Sequence, residues 1–175
     1  MKFNRKILVV LALVLAIIGL QSTTYAQRRK SPARKTTAAK PAPNTFEIKA
    51  GAEKVSTQIK NLTKFIYLLG GIARNIEDID KDSKSGKFSR TAVSQNETNK
   101  KNVISSIRNL RAGLAALEVE FRTKPVLKPY LLQIQGVTDI SGQAEDLAVA
   151  GRFTDSGKTL LLVVEKLSDT LAAMP

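Results

Sequence analysis

Cysteine, histidine and tryptophan are all missing from this 175-residue chain. Without cysteine there are no disulfides and no thiolate nucleophile. Without histidine there is no imidazole base and no imidazole metal ligand. The Glu-x-x-His motifs of di-iron bundles therefore cannot be built. Beyond Met1, Met174 is the one remaining thioether, which leaves haem no credible axial pair. Aromatic residues are few, at 5%. Acids are scarce too: 15 Asp and Glu stand against 28 Lys and Arg, a net charge of +13. An enzyme on this chain would have to work with carboxylates, lysine, serine, threonine or tyrosine. We expect no enzymatic activity and no cofactor.

What is present divides the chain into three parts. Lys2, Arg5 and Lys6 precede an uncharged apolar run of 14 residues, Ile7 to Leu20, and Thr24-Tyr25-Ala26 then offers small residues at −3 and −1 of a cleavage point. Residues 1–26 read as a secretory signal peptide. The run falls short of the ~20 apolar residues of a spanning helix. Residues 27–44 are rich in Ala, Pro, Lys and Arg and contain no acid. Such a segment cannot bury enough apolar surface to offset its ordering entropy, so it reads as a disordered basic linker. Of the +13, three charges fall in the signal and six in the linker, leaving +4 on residues 45–175. The product is expected to be exported, to the periplasm or the extracellular space.

Residues 45–175 carry the fold. Ile48, Ala52, Val55, Ile59, Leu62, Ile66, Leu69, Ala73 and Ile76 alternate at spacings of four and three. This coiled-coil-like seam, widened by Phe65, Ile72 and Ile79, predicts one long helix. Asn44 and Glu47 have the form of a capping box at its start. Gly70-Gly71 inside it predicts a kink or a close helix crossing, and Asp-Ser-Lys-Ser-Gly at 82–86 predicts its terminating turn. A second helix has a seam of Val103, Ile107, Leu110, Leu114, Leu117 and Phe121, with a second capping box at Ser94 and Glu97. Phe88 to Val93 reads either as its earlier turn or as loop. Glu97–Lys101, Glu118–Arg122 and Glu120–Lys124 are spaced as favourable ion pairs on its polar face. Pro125 and Pro129 lead into a third helix whose apolar face runs from Leu127 to Ala148, ended by Gly151. A fourth spans about 155–173 on Leu160, Val164, Leu167 and Leu171, widened by Leu161 and Val163. The predicted fold class is all-α, an antiparallel four-helix bundle in which the first two helices overhang the shorter pair.

Few residues point to chemistry. Gly151 to Thr159 ends in Gly-Lys-Thr, but five residues separate its two glycines where a phosphate loop has four, and helix rather than strand precedes it. It reads as a helix stop followed by the next helix start, with Thr154, Asp155 or Ser156 as the cap. Glu77, Asp78, Asp80 and Asp82, with Ser83 and Ser85, resemble the start of a calcium loop, but Thr91 stands where the closing Glu belongs. A solvated acidic helix end accounts for them better, although negative charge opposes the helix dipole there. Glu118, Glu120, Glu145 and Asp146 read as polar-face residues. No metal site is expected.

The candidate contact residues are Arg28, Arg29, Lys30, Arg34, Lys35 and Lys40 in the linker, which suit an anionic envelope component or peripheral membrane contact. Nucleic acid is not expected, because the linker lacks stacking aromatics. The function expected is that of an interaction or structural module of the cell envelope, with an unidentified protein or anionic partner. Self-association is a further version of it, since Tyr67 and Leu68 lie off the main seam. The alternative is a carrier holding an apolar ligand or lipid between the small residues of helix three and the Leu-rich helix four.

Overall fold

The computed structural model describes residues 43–83 and 85–175. The expected signal peptide and all but the last two residues of the expected linker lie outside them. Two long helices come first, α1 (Pro43–Ser83) and α2 (Arg90–Thr123). A 3-10 turn at Lys128–Tyr130 and the short α3 (Leu131–Ile134) lead to α4 (Val137–Val149), and α5 (Phe153–Ala173) closes the bundle. No strand occurs among the described residues.

The apolar seams account for the packing. Val55, Leu62, Leu69 and Ile76 of α1 meet Val103, Ile107, Leu114 and Phe121 of α2 and Leu160, Val163 and Leu167 of α5 in one buried core. α1 packs against α2 and α5, and α4 packs against the same two helices from the diagonal position. Polar contacts give the direction of each helix. Lys54 near the start of α1 pairs with Glu120 near the end of α2, and Glu77 near the end of α1 bonds Thr154 at the start of α5. Arg108 of α2 pairs with Glu145 of α4, and Ser156 of α5 bonds the Ala144 carbonyl of α4. All neighbours are antiparallel. Fully burying residues the size of Phe121, Leu62 or Leu167 contributes about 1.5–3 kcal/mol each. Phe153, at the first position of α5, is also fully buried, although sequence spacing leaves it in a turn.

Several helix ends differ from expectation. α1 opens at Pro43, so Asn44 lies inside the helix and not at its cap. Proline suits that place because first-turn amides have no intrahelical acceptor. α2 opens at Arg90, capped by Ser89, whose hydroxyl accepts from the Ala92 amide at 3.2 Å. Phe88 and Ser89 therefore precede the helix, Arg90 to Val93 form its first turn, and Ser94 is interior. The expected third helix is broken. Gln135 is extended and Gly136 takes φ +92°, so α3 and α4 are separate. Other ends match. Gly86, at φ +72°, turns the chain after α1. At the end of α4, Gly151 adopts φ +79°, its amide donates to Ala148, and Arg152 donates to Leu147 at 2.9 Å. That pair of bonds is the Schellman arrangement.

Gly70 and Gly71 are exposed, and a Cβ on either would meet nothing within 4 Å. They do not mark a close crossing, because no neighbouring helix approaches them. The tight approach is at Gly51, where a Cβ would stand 2.8 Å from Leu127 and 3.4 Å from Met174. Leu161, expected on the inward stripe, is half exposed, whereas Val163 is buried.

Candidate functional site

Three of the helices, α3, α4 and α5, start without a side-chain cap of their own. The two longer of these, α4 and α5, are supplied from elsewhere. Each accepts a carboxylate from the α1–α2 hairpin instead. Glu118 of α2, only 8% exposed, accepts from the Gly136 amide at 3.2 Å and the Thr138 amide at 3.3 Å. The Thr138 hydroxyl donates to it at 2.8 Å, and Arg122 approaches at 3.4 Å. Burial works to raise the Glu118 carboxyl, but these donors outweigh it and hold it below the ordinary glutamate value. A carboxylate at a helix N-terminus also meets the positive end of the dipole. Glu118 is therefore not a polar-face residue. Its local partner Arg122 is readable from spacing, but its tertiary partners are not.

Glu77 does the same for α5. Its carboxylate accepts from the Thr154 amide at 2.7 Å and from the Thr154 hydroxyl at 3.1 Å. Asp80 accepts from Asn96 at 2.9 Å and pairs with Lys100 at 2.9 Å, and Asp82 pairs with Lys87 at 3.4 Å. Glu77, Asp80 and Asp82 thus face cations or a helix start on other elements, which offsets their conflict with α1's own dipole, whereas Asp78 is exposed and makes no ion pair among the described residues. Asn96 is 2% exposed and also donates to the Ile76 carbonyl at 3.2 Å. Burial depresses the Lys100 ammonium, but its bonds to Asp80 and Glu97 outweigh this and raise it. Glu97 pairs with Lys100 rather than with the expected Lys101.

Three further carboxylates are held by cations. Glu145 is gripped by Arg108 at 2.6 Å and Arg111 at 3.2 Å, and the bond from Arg108 is the main cause of its lowered carboxyl. Glu120 sits between Lys54 and Lys124, each at 2.6 Å, and these bonds overcome burial to lower it. Asp155 pairs with Arg152 and Lys158.

The outward face of α1 is different. Lys60, Lys64, Tyr67, Gly71, Arg74, Asp78 and Lys81 recur at helical spacing, with Gly70 beside them, and all are exposed, so the stripe holds four cations and one acid. Tyr67 is 82% exposed. Lys49, Lys60, Lys64, Arg74 and Lys81 make no ion pair among the described residues. The chain is polarised as a whole. Residues 43–130 hold 16 basic and nine acidic side chains, and residues 131–175 hold three basic and six acidic.

The chain matches no protein-family model, no curated protein and no solved structure. Its own geometry is what speaks to function.

The linker residues Arg28, Arg29, Lys30, Arg34, Lys35 and Lys40 lie outside the described residues. Gly151 to Thr159 does not form a phosphate-cradling loop. Helix begins at Phe153, Gly157 is interior to it, and Lys158 is engaged by Asp155 at 3.0 Å. The cap of α5 is Glu77, not Thr154, Asp155 or Ser156. The Ser156 hydroxyl donates to the Ala144 carbonyl at 2.7 Å. The small residues of α4 are taken up by packing: a Cβ on Gly142 would stand 3.3 Å from the Arg111 guanidinium. The core seam of α1 dominates its sequence pattern and masks the stripe on its outer face. The signal was available, since the stripe has the same spacing as the core seam.

Proposed function

We propose that this protein is a non-enzymatic, exported helical bundle that docks an anionic component of the cell envelope. The observation that carries this reading is the distribution of charge: residues 27–44 hold six cations and no acid, and residues 43–130 hold 16 basic against nine acidic side chains. The described acids that are buried or half-buried near other helices are matched by donors. Electrostatic footprints of this kind recruit anionic partners and respond to salt. The export signal read from residues 1–26 supports the compartment. Close packing at Ser141, Gly142 and Ala144 supports docking over ligand carriage between α4 and α5. The test is co-sedimentation of the full chain with an isolated envelope fraction at low and high salt. It is run beside a variant with Arg28, Arg29, Lys30, Arg34, Lys35 and Lys40 changed to Gln. Salt-sensitive sedimentation, reduced in the variant, is the expected result. Equal recovery in the supernatant at every salt concentration for both would sink the reading.

A further inference from the structure

The α1 stripe has properties that the helix itself does not favour. Lys60 and Lys64 stand at i,i+4, where like charges repel by about 0.2–0.5 kcal/mol. Gly70 and Gly71 each weaken a helix interior by about 1 kcal/mol relative to alanine, with no neighbour to require them. Tyr67 exposes its ring fully among them, and its hydroxyl has no partner among the described residues. Departures from local preference that cluster on one exposed face are expected at functional surfaces.

The geometry points to a docking face on α1 for the headgroup region of an anionic lipid bilayer, resting on the envelope reading above. From Lys60 to Lys81 the stripe runs about 32 Å in a line at 1.5 Å per residue, which suits a flat, extended partner. Its four cations make no ion pair among the described residues and outnumber Asp78, its one acid. The bare backbone at Gly70-Gly71 lets the helix lie close to the surface. Tyr67, between Lys64 and Arg74, is an amphipathic ring of the kind found at membrane–water interfaces. α4 stands diagonally across the bundle and turns Asp139 and Asp146 outward, so the side opposite α1 suits an anionic plane poorly. Residues 27–42, which precede α1 in the sequence, carry six further cations. No described helix is long and apolar enough to cross a membrane, and this contact needs none.

The chain contains no tryptophan, so Tyr67→Trp places a single emitter at the centre of the face in the full-length protein. Gln143→Trp on α4 is the matched reporter on the far side. Vesicles of phosphatidylglycerol and phosphatidylcholine are expected to blue-shift the Tyr67→Trp emission, reversibly with salt, and to leave Gln143→Trp unmoved. Pure phosphatidylcholine vesicles are expected to move neither. Each of Lys60→Gln, Lys64→Gln and Arg74→Gln is expected to weaken the partition read by this reporter about fivefold. If the protein pellets with anionic vesicles while Tyr67→Trp stays unshifted, the linker alone docks: the face assignment fails and the proposed function stands. A shift of both reporters, or a shift with soluble inorganic polyphosphate but not with vesicles, overturns the lipid surface. No pelleting and no shift overturns the assignment and removes membrane docking from the proposed function as well.

Discussion

On the side of α1 that meets α2 and α5, Glu77 is held by Thr154 and Asp80 by Asn96 and Lys100. On the opposite side, Lys60, Lys64, Arg74 and Lys81 have no acidic partner among the described residues. One helix therefore carries two kinds of charge. The inner acids set how neighbouring helices start and align, and they are matched atom by atom. The outer cations make no ion pair to another helix among the described residues, and two of them repel. The difference separates residues kept for architecture from residues free to serve a surface, and it makes the two sets separable by mutation.

The largest effect should come from the inner set. Glu118→Ala would leave the Gly136 and Thr138 amides and the Thr138 hydroxyl without their acceptor, and a loss of about 2–4 kcal/mol is expected in urea unfolding. A loss below about 0.5 kcal/mol would show that the cap is not structural. Glu77→Ala should cost less, about 1–2 kcal/mol, since it removes one amide and one hydroxyl contact at a half-buried site. On the outer face the sign should reverse. Gly70→Ala and Gly71→Ala are each expected to stabilise by up to about 1 kcal/mol, because a methyl group meets open space there. Lys60→Gln, Lys64→Gln and Arg74→Gln should stay within about 0.5 kcal/mol of the parent in the same assay. A marked loss there would break the comparison.

Acidity gives a further check. Glu118, Glu120 and Glu145 have folded values below the ordinary 4.5, and Asp155 lies below 3.8. Their contribution is complete above those ordinary values and is lost as pH falls through the folded ones. Lys100 and Lys124 are raised above 10.5, so theirs is complete below that value and fades as pH rises through the folded ones. The denaturation midpoint should be flat across neutral pH and fall at both ends. Glu118→Ala should shallow the acid limb and leave the alkaline limb unchanged.

The parts of the fold legible in the sequence are those that depend on neighbours three or four residues away. The seam positions of α1 and α2 are buried or half-buried, and the glycine stops at Gly86 and Gly151 follow from a backbone that only glycine adopts easily. Lys124 does bond Glu120 as its spacing suggests. The illegible parts depend on distant chain. Glu118 reaches residues 18 and 20 positions away, and Glu77 reaches one 77 positions away. Nothing local distinguishes either from a solvated acid. Gly136 lies inside a continuous apolar pattern, and the carboxylate that makes a break there favourable belongs to another helix. Ser94 and Asn44 fit a cap formula, but Ser89 and Pro43 lie upstream of them and open the helices first.

The borrowed caps have a consequence for the order of assembly. α2 closes its own N-terminus with Ser89, whereas α4 and α5 begin properly only when Glu118 and Glu77 are already in place. The hairpin can therefore form as a template, and the C-terminal helices nucleate on it in a fixed register. Hydrogen exchange during refolding should protect the amides of α1 and α2 before those of Thr138 and Thr154. A chain that begins at residue 131 would carry two helices with nothing to start them.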